Sequence, residues 1–236
     1  MRFEPNLLEA RLLRRYKRFL ADVQTAAGGA MTVHCPNTGS MLGCAEPGMR
    51  VWLSRAANPE RKYGWTWELV EALQGVLVGI HTGRTNGLVR EAVVTGVIPE
   101  LAGYPSVRGE VMAGEGFRVD FLLSGHTHRP DCYLEVKNVT AAVAEGRALF
   151  PDAVSERASR HLRELMLKVK AGHRAMLCFC VQRDDAREVR PADEIDPVYG
   201  RTLRQAVAAG VEVAAYAARV APEDVTLYRA VPVVLA

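Results

Sequence analysis

The chain has 236 residues, 49% hydrophobic and 24% charged, with a formal net charge of +3. The length exceeds the roughly 100–200 residues usual for one domain, and the composition excludes a disordered chain, which is poor in apolar residues and high in net charge. No apolar run reaches the ~18 residues of a membrane span and the basic start lacks a signal-peptide core and cleavage site, so no membrane partner is expected and a cytoplasmic location is the default.

The charge is uneven. Residues 1–82 hold ten Lys or Arg against seven Asp or Glu, whereas residues 83–236 hold twenty of each. Six cations, Arg2, Arg11, Arg14, Arg15, Lys17 and Arg18, crowd the first twenty residues. Such a patch attracts a phosphate backbone, and a solvated basic face is the alternative. Five scattered cysteines with no CxxC pair indicate neither a disulfide framework nor a zinc ribbon, and reduced thiols are expected.

In chain order, the first 80 residues read as short β-runs broken by turns. "LLRRYKRFLADV" suits a helix or a curled strand by period, but the Gly28–Gly29 turn and the later runs favour a β-meander. "AMTVH", "MRVWLSRA" and "YGWTWELVEAL" follow, the last closing a small β-barrel, and the glycines from Gly75 to Gly83 form the passage to a second unit. Trp52, Trp65 and Trp67 suggest base-stacking platforms, although alternation places Trp65 and Trp67 on one face with Leu69, which favours core packing for most of them. From residue 83 the pattern becomes α/β: a helix capped at Asn86, three strands ("SVRGEVMA", "FRVDFLLSG", "CYLEVKNVTAAV"), a long amphipathic helix in "DAVSERASRHLRELMLKVKAG", a buried strand in "RAMLCFCVQR", then a further helix and strand.

One hairpin carries chemistry. Glu135 and Lys137 stand two apart on a strand and share a face, and an antiparallel turn near "GHTHRPD" brings Asp120 beside Glu135. Two facing carboxylates repel unless a cation lies between them, so a divalent metal is a natural third party. Metal-assisted phosphodiester hydrolysis needs such ligands plus a cation near the reacting oxygens, which Lys137 supplies. Glu91 on the preceding helix is the candidate fourth acid. The alternative is a charged group on a solvated hairpin face. In the turn, His126, His128, Asp131 and Cys132 invite a zinc reading but lack a ligand knuckle.

"HCPNTGSM", "RVDFLL" followed by "CYLEVKNVT", "FPDAVSERASRHLREL" and "DPVYGRTL", spread over almost the whole chain, resemble the sugar fermentation stimulation protein family. The resemblance implies an OB-like barrel over 1–82 that binds nucleic acid, then a PD-(D/E)xK nuclease-like α/β domain over 83–236. It implies DNA binding with little sequence preference and places the motif's acids and lysine on Asp120, Glu135 and Lys137. The metal ligands it implies are Glu91, Asp120 and Glu135, with Mg²⁺ or Mn²⁺ as cofactor. It makes the loop of Asn37, Thr38 and Ser40 a phosphate contact. If the long helix turns its face toward the hairpin, Arg157 and His161, four apart, reach the substrate phosphate; otherwise they are surface residues. Two positions depart from the pattern: Phe117 replaces a serine, and Ala158 replaces a glycine at a close helix contact. The expected function is a metal-dependent nuclease acting on DNA, and the alternative is a non-catalytic DNA-binding regulator linked to sugar metabolism. No small-molecule ligand is indicated, and a homo-oligomer stays open.

Overall fold

The computed structural model describes residues 1–143 and 146–236. Strands β1 (Leu8–Tyr16), β2 (Leu20–Thr25), β3 (Ala30–His34), β4 (Arg50–Arg55) and β5 (Trp65–Glu71) form a sheet that closes where His34 of β3 meets Thr66 of β5, and β6 (Leu77–Gly79) continues it beyond β5. The ambiguous "LLRRYKRFLADV" is a hairpin. Its register sets Leu12 opposite Val23, both in the barrel core, and its turn uses the left-handed residues Lys17 and Arg18 (φ 49° and 64°). Positive φ at both positions suits the twist of a tight hairpin.

One irregularity decides where the tryptophans go. Trp52 pairs with Leu69 and Leu53 with Trp67, so Glu68 is an extra residue, a β-bulge. The bulge breaks the expected alternation. Trp67 fills the barrel core and donates from Nε1 to the Leu69 carbonyl, whereas Leu69 and Trp52 turn outward into the core shared with the second unit. Trp65 is half-buried against the barrel. Glu68 is only 1% exposed, and both oxygens meet the Arg84 guanidinium at 2.6 Å, with Ser54 Oγ donating to Oε1.

Helix α1 (Thr85–Val94) follows, then β7 (Ser106–Gly114), β8 (Phe117–Ser124), β9 (Cys132–Val139), β10 (Ala142–Val143), β11 (Arg147–Phe150), α2 (Glu156–Lys170), β12 (Arg174–Val181), β13 (Glu188–Pro191), α3 (Pro197–Ala208), β14 (Glu212–Val220) and β15 (Val225–Ala230). The main sheet runs β15-β14-β12-β9-β8-β7, with β9, β12 and β14 parallel, and β10-β11-β13 form a smaller sheet. On one face lie α1, Phe3 of the N-terminal segment and the outer barrel residues Trp52 and Leu69; on the other lie α2 and α3. Ser155 caps α2 by accepting from Ala158 N–H, a contact typically worth ~1 kcal/mol. Ala158, where the family resemblance expects glycine, is buried in the core beneath α2. The barrel followed by a mixed α/β unit agrees with expectation. Three details do not: Arg84, not Asn86, is the first flanking residue of α1; "CYLEVKNVTAAV" is two strands; and β15 and the small sheet were unforeseen, the latter because its strands are too short to show a period.

All five cysteines are buried and free. Among the described residues, no helix is long and apolar enough to cross a membrane.

Candidate active site

Strands β8 and β9 pair at Leu123–Cys132, Leu122–Tyr133 and Phe121–Leu134, and there the ladder stops. Continued by one step, this register sets Asp120 against Glu135, but instead of backbone pairing the Asp120 side chain enters the gap. Val136 N–H donates to Asp120 Oδ2 at 2.7 Å, and Asn86 Nδ2 on α1 donates to Oδ1 at 2.9 Å. Strand β8 also changes sides here: Phe117 and Val119 belong to the core under α2, Phe121 and Leu123 to the core under α1. Burial, and then the charge of Glu135, push the Asp120 carboxyl above its ordinary value against these two donors.

Glu135 is 3% exposed. Its Oε1 accepts from Lys137 Nζ at 2.6 Å and meets His161 Nδ1 at 2.5 Å, while Oε2 is buried without a hydrogen-bond partner among the described residues. Burial favours the protonated acid, but His161 and Lys137 outweigh it and leave the Glu135 carboxyl below its ordinary value. His161 packs edge-on against Phe117, and Arg157 Nε reaches His161 Nε2 at 3.4 Å. If Nε2 accepts from Arg157, the neutral ring carries its proton on Nδ1 and donates it to Glu135. Tyr199 of α3 is fully buried, its hydroxyl has no partner among the described residues, and burial with the charges of Glu135 and Asp196 drives its phenol well up.

Asp120, Glu135 and Lys137 therefore meet, and His161 and Arg157 join them from α2. Glu91 does not. It is exposed on α1, where its carboxylate pairs with the Met1 amine at 2.8 Å; the helix supplies Asn86 instead. Among the described residues there is no group of three or more His, Cys, Asp or Glu able to hold a metal, which also removes the zinc reading of His126, His128, Asp131 and Cys132. The remaining donor set fits Mg²⁺ or Mn²⁺, which are typically held by one or two carboxylates with water and substrate phosphate completing the shell. The free Glu135 Oε2 is the oxygen such an ion would use.

The expected nucleic-acid contacts divide in two. Lys17, Thr38 and Ser40 reach the surface, and Arg14 is exposed beside Asp22. Arg15 and Asn37 instead shape a loop: the Arg15 guanidinium donates to the carbonyls of Asn37 and Gly39 at 2.9 and 2.8 Å, and the buried Asn37 accepts from Gly39 N–H. His161 is buried behind Glu135, so it positions that carboxylate rather than meeting solvent. Sequence reasoning missed Asn86 as a partner of Asp120, and it missed Arg160 and Arg163, which with Arg157 line an open groove of about 550 Å³ beside Val198 of α3. Their spacing of three along α2 was the available signal.

The family model of the "SfsA N-terminal OB domain" matches residues 13–80, and that of the "Sugar fermentation stimulation protein RE domain" matches 83–224. A sugar fermentation stimulation protein homolog of Thioalkalivibrio sulfidiphilus is 61% identical over 99% of this chain and 98% of its own, and one from Alkalilimnicola ehrlichii is 57% identical over 99% of each. The structure of Pyrococcus furiosus SfsA in complex with Ca²⁺ superposes with a TM-score of 0.88 over 99% of this chain and 98% of that one, at 24% identity. The OB barrel, the restriction-endonuclease-like domain and these relatives together place the chain in the sugar fermentation stimulation protein (SfsA) family.

Proposed function

We propose that the protein is a divalent-metal-dependent nuclease that acts on DNA with little sequence preference, residues 1–82 gripping the strand and residues 83–236 cutting it. The observation that carries this is the buried, half-satisfied Glu135: a carboxylate held ionised by Lys137 and His161, facing Asp120, with one oxygen free. Burying such a group without a full set of partners is unfavourable, and perturbed acids of this kind concentrate at functional sites. The Ca²⁺ in the Pyrococcus protein supports a divalent site built from oxygen donors.

Asp120 and Glu135 hold the ion, Asn86 and His161 fix the two carboxylates, and Lys137 steadies charge on the phosphate. When bound, the metal polarises the phosphoryl oxygen and acidifies the attacking water. Incubating plasmid and short single strands with the protein and Mn²⁺ or Mg²⁺ should give cleavage that a chelator abolishes. Salt-sensitive, metal-indifferent binding without cleavage would instead favour a DNA-binding regulator.

Among the described residues, the side chains of Arg160 and Arg163 make no hydrogen bond or ion pair, and with Arg157 they outnumber Glu156 along the groove. Replacing both with Ala should weaken DNA binding and reduce the slope of log affinity against log salt by about 1.4 to 1.8, the share of two phosphate contacts on a single strand or a duplex. An unchanged slope would remove α2 from the binding path.

A further inference from the structure

A second concavity lies past the end of the strand that carries Glu135 and Lys137. A cavity of about 210 Å³ opens at the C-terminal end of β9, lined by Asn138, the neighbour of Lys137 in sequence but on the alternate face of the strand, and by Thr140 just beyond it. Its other walls include Asn37 and Thr38 from the barrel loop, Phe150 of β11, and Asp152. The walls are tied together. Asp152 Oδ2 accepts from Met41 N–H and Ser40 Oγ, Thr82 Oγ1 donates to the Pro36 carbonyl at 2.6 Å, and Gln182 Nε2 donates to Asn138 Oδ1 at 2.6 Å. A Cβ at Gly39 would stand 2.5 Å from Asp152 Oδ2, so the loop's close approach requires glycine there.

The chemistry of the cavity differs from that of the arginine groove. Among the described residues no Lys or Arg lines it, and its charged group is a carboxylate, so a phosphate is disfavoured. Neutral amides and hydroxyls beside an aromatic ring and aliphatic carbons suit a nucleobase, which needs a planar surface and edge hydrogen bonds. The volume lies below the roughly 300–1,000 Å³ of pockets for drug-sized ligands and suits one ring system. We propose that this cavity receives one unpaired base of the substrate strand, next to the phosphate held at Glu135 and Lys137. The substrate is then a single strand, or a duplex with an unpaired nucleotide at the cut, rather than a continuous duplex, whose stacked bases cannot enter a side pocket. This rests on the nuclease reading for the position of the cut, but not for the binding of the base.

Two arms separate the claims. In the cleavage arm, with Mn²⁺, the wild type should cut a short single strand roughly tenfold or more faster than the same sequence in continuous duplex, the order expected from one base contact. Ala141→Leu, which fills the cavity from the link between β9 and β10, and Thr38→Trp, which fills it from the exposed loop, should each lower single-strand cleavage by about the same factor. In the binding arm, with Ca²⁺, a 2-aminopurine and then an abasic site are walked along the strand. One position should show raised fluorescence and an abasic loss of affinity, both absent in the two variants. The abasic walk needs no change in the protein, so a variant that misfolds does not shelter the proposal. Equal cutting of single strand and duplex, or a walk with no special position, would overturn the pocket while leaving the nuclease reading intact. No cleavage of any substrate, with the special position still present, would overturn the nuclease reading and support the pocket.

Discussion

Replacing Asp120 with Asn should abolish metal-dependent cleavage, by about a thousandfold or more, while DNA affinity changes by less than a few fold. A ligand that positions a metal at the reacting phosphate contributes several kcal/mol to the transition state, and about 4 kcal/mol is three decades in rate. Asn keeps the shape and one acceptor for the Val136 and Asn86 donors but removes the charge. The folded chain raises the Asp120 carboxyl, so the favourable contribution of its protonated form is lost as pH rises through that raised value. The stability of Asp120→Asn relative to the wild type should therefore fall on acidification, with a pH-independent cost for the one donor that the amide leaves without an acceptor. Paired activity, binding and denaturant curves read all of this, and equal loss of binding and cutting would contradict the division between a site that cuts and surfaces that grip.

A second large effect is expected at Arg84. Its guanidinium neutralises Glu68, the bulge residue of the barrel, and sits at the start of α1, so it ties the barrel to the helix that presents Asn86 to Asp120. Removing one member of a buried ion pair leaves an uncompensated charge and typically costs about 3–5 kcal/mol. Because the Arg84 side chain is 30% exposed, the lower end, about 3 kcal/mol, is expected for Arg84→Ala. The comparison is Arg118→Ala, which breaks a pair with Glu110 on an exposed surface and should cost no more than about 1 kcal/mol. Urea midpoints at unchanged slope give both numbers. Similar values for the two variants would show that Glu68 is not held by Arg84.

Much of the site was legible because strand periodicity is short-range. Glu135 and Lys137 share a face by spacing alone, and a hairpin between two apolar runs can bring Asp120 alongside. Where the reading failed, the deciding contact was distant in sequence. Asn86 looks like a helix cap until the third dimension sets it against Asp120, thirty-four residues away. Glu91 has the right chemistry but lies where Met1 folds back to meet it, 90 residues distant. Arg15 reads as a phosphate contact by its charge, yet its guanidinium is spent on the carbonyls of a loop more than twenty residues on. The bulge at Glu68 is one inserted residue, which a period of two cannot reveal and which sends Trp67 and Leu69 to different cores. The barrel and the α/β unit were recognisable because each rests on many repeated local signals; the exceptions rest on single pairings.

The most direct test of the central claim is a calorimetric titration of Mn²⁺ into the wild type and into Glu135→Gln. One metal site per chain is expected in the wild type and its loss in the variant, because the substituted amide keeps the shape of the side chain but not the charge that, with Asp120, holds the ion. Binding of equal strength in both proteins, or no binding to the wild type even with a single strand present, would contradict it.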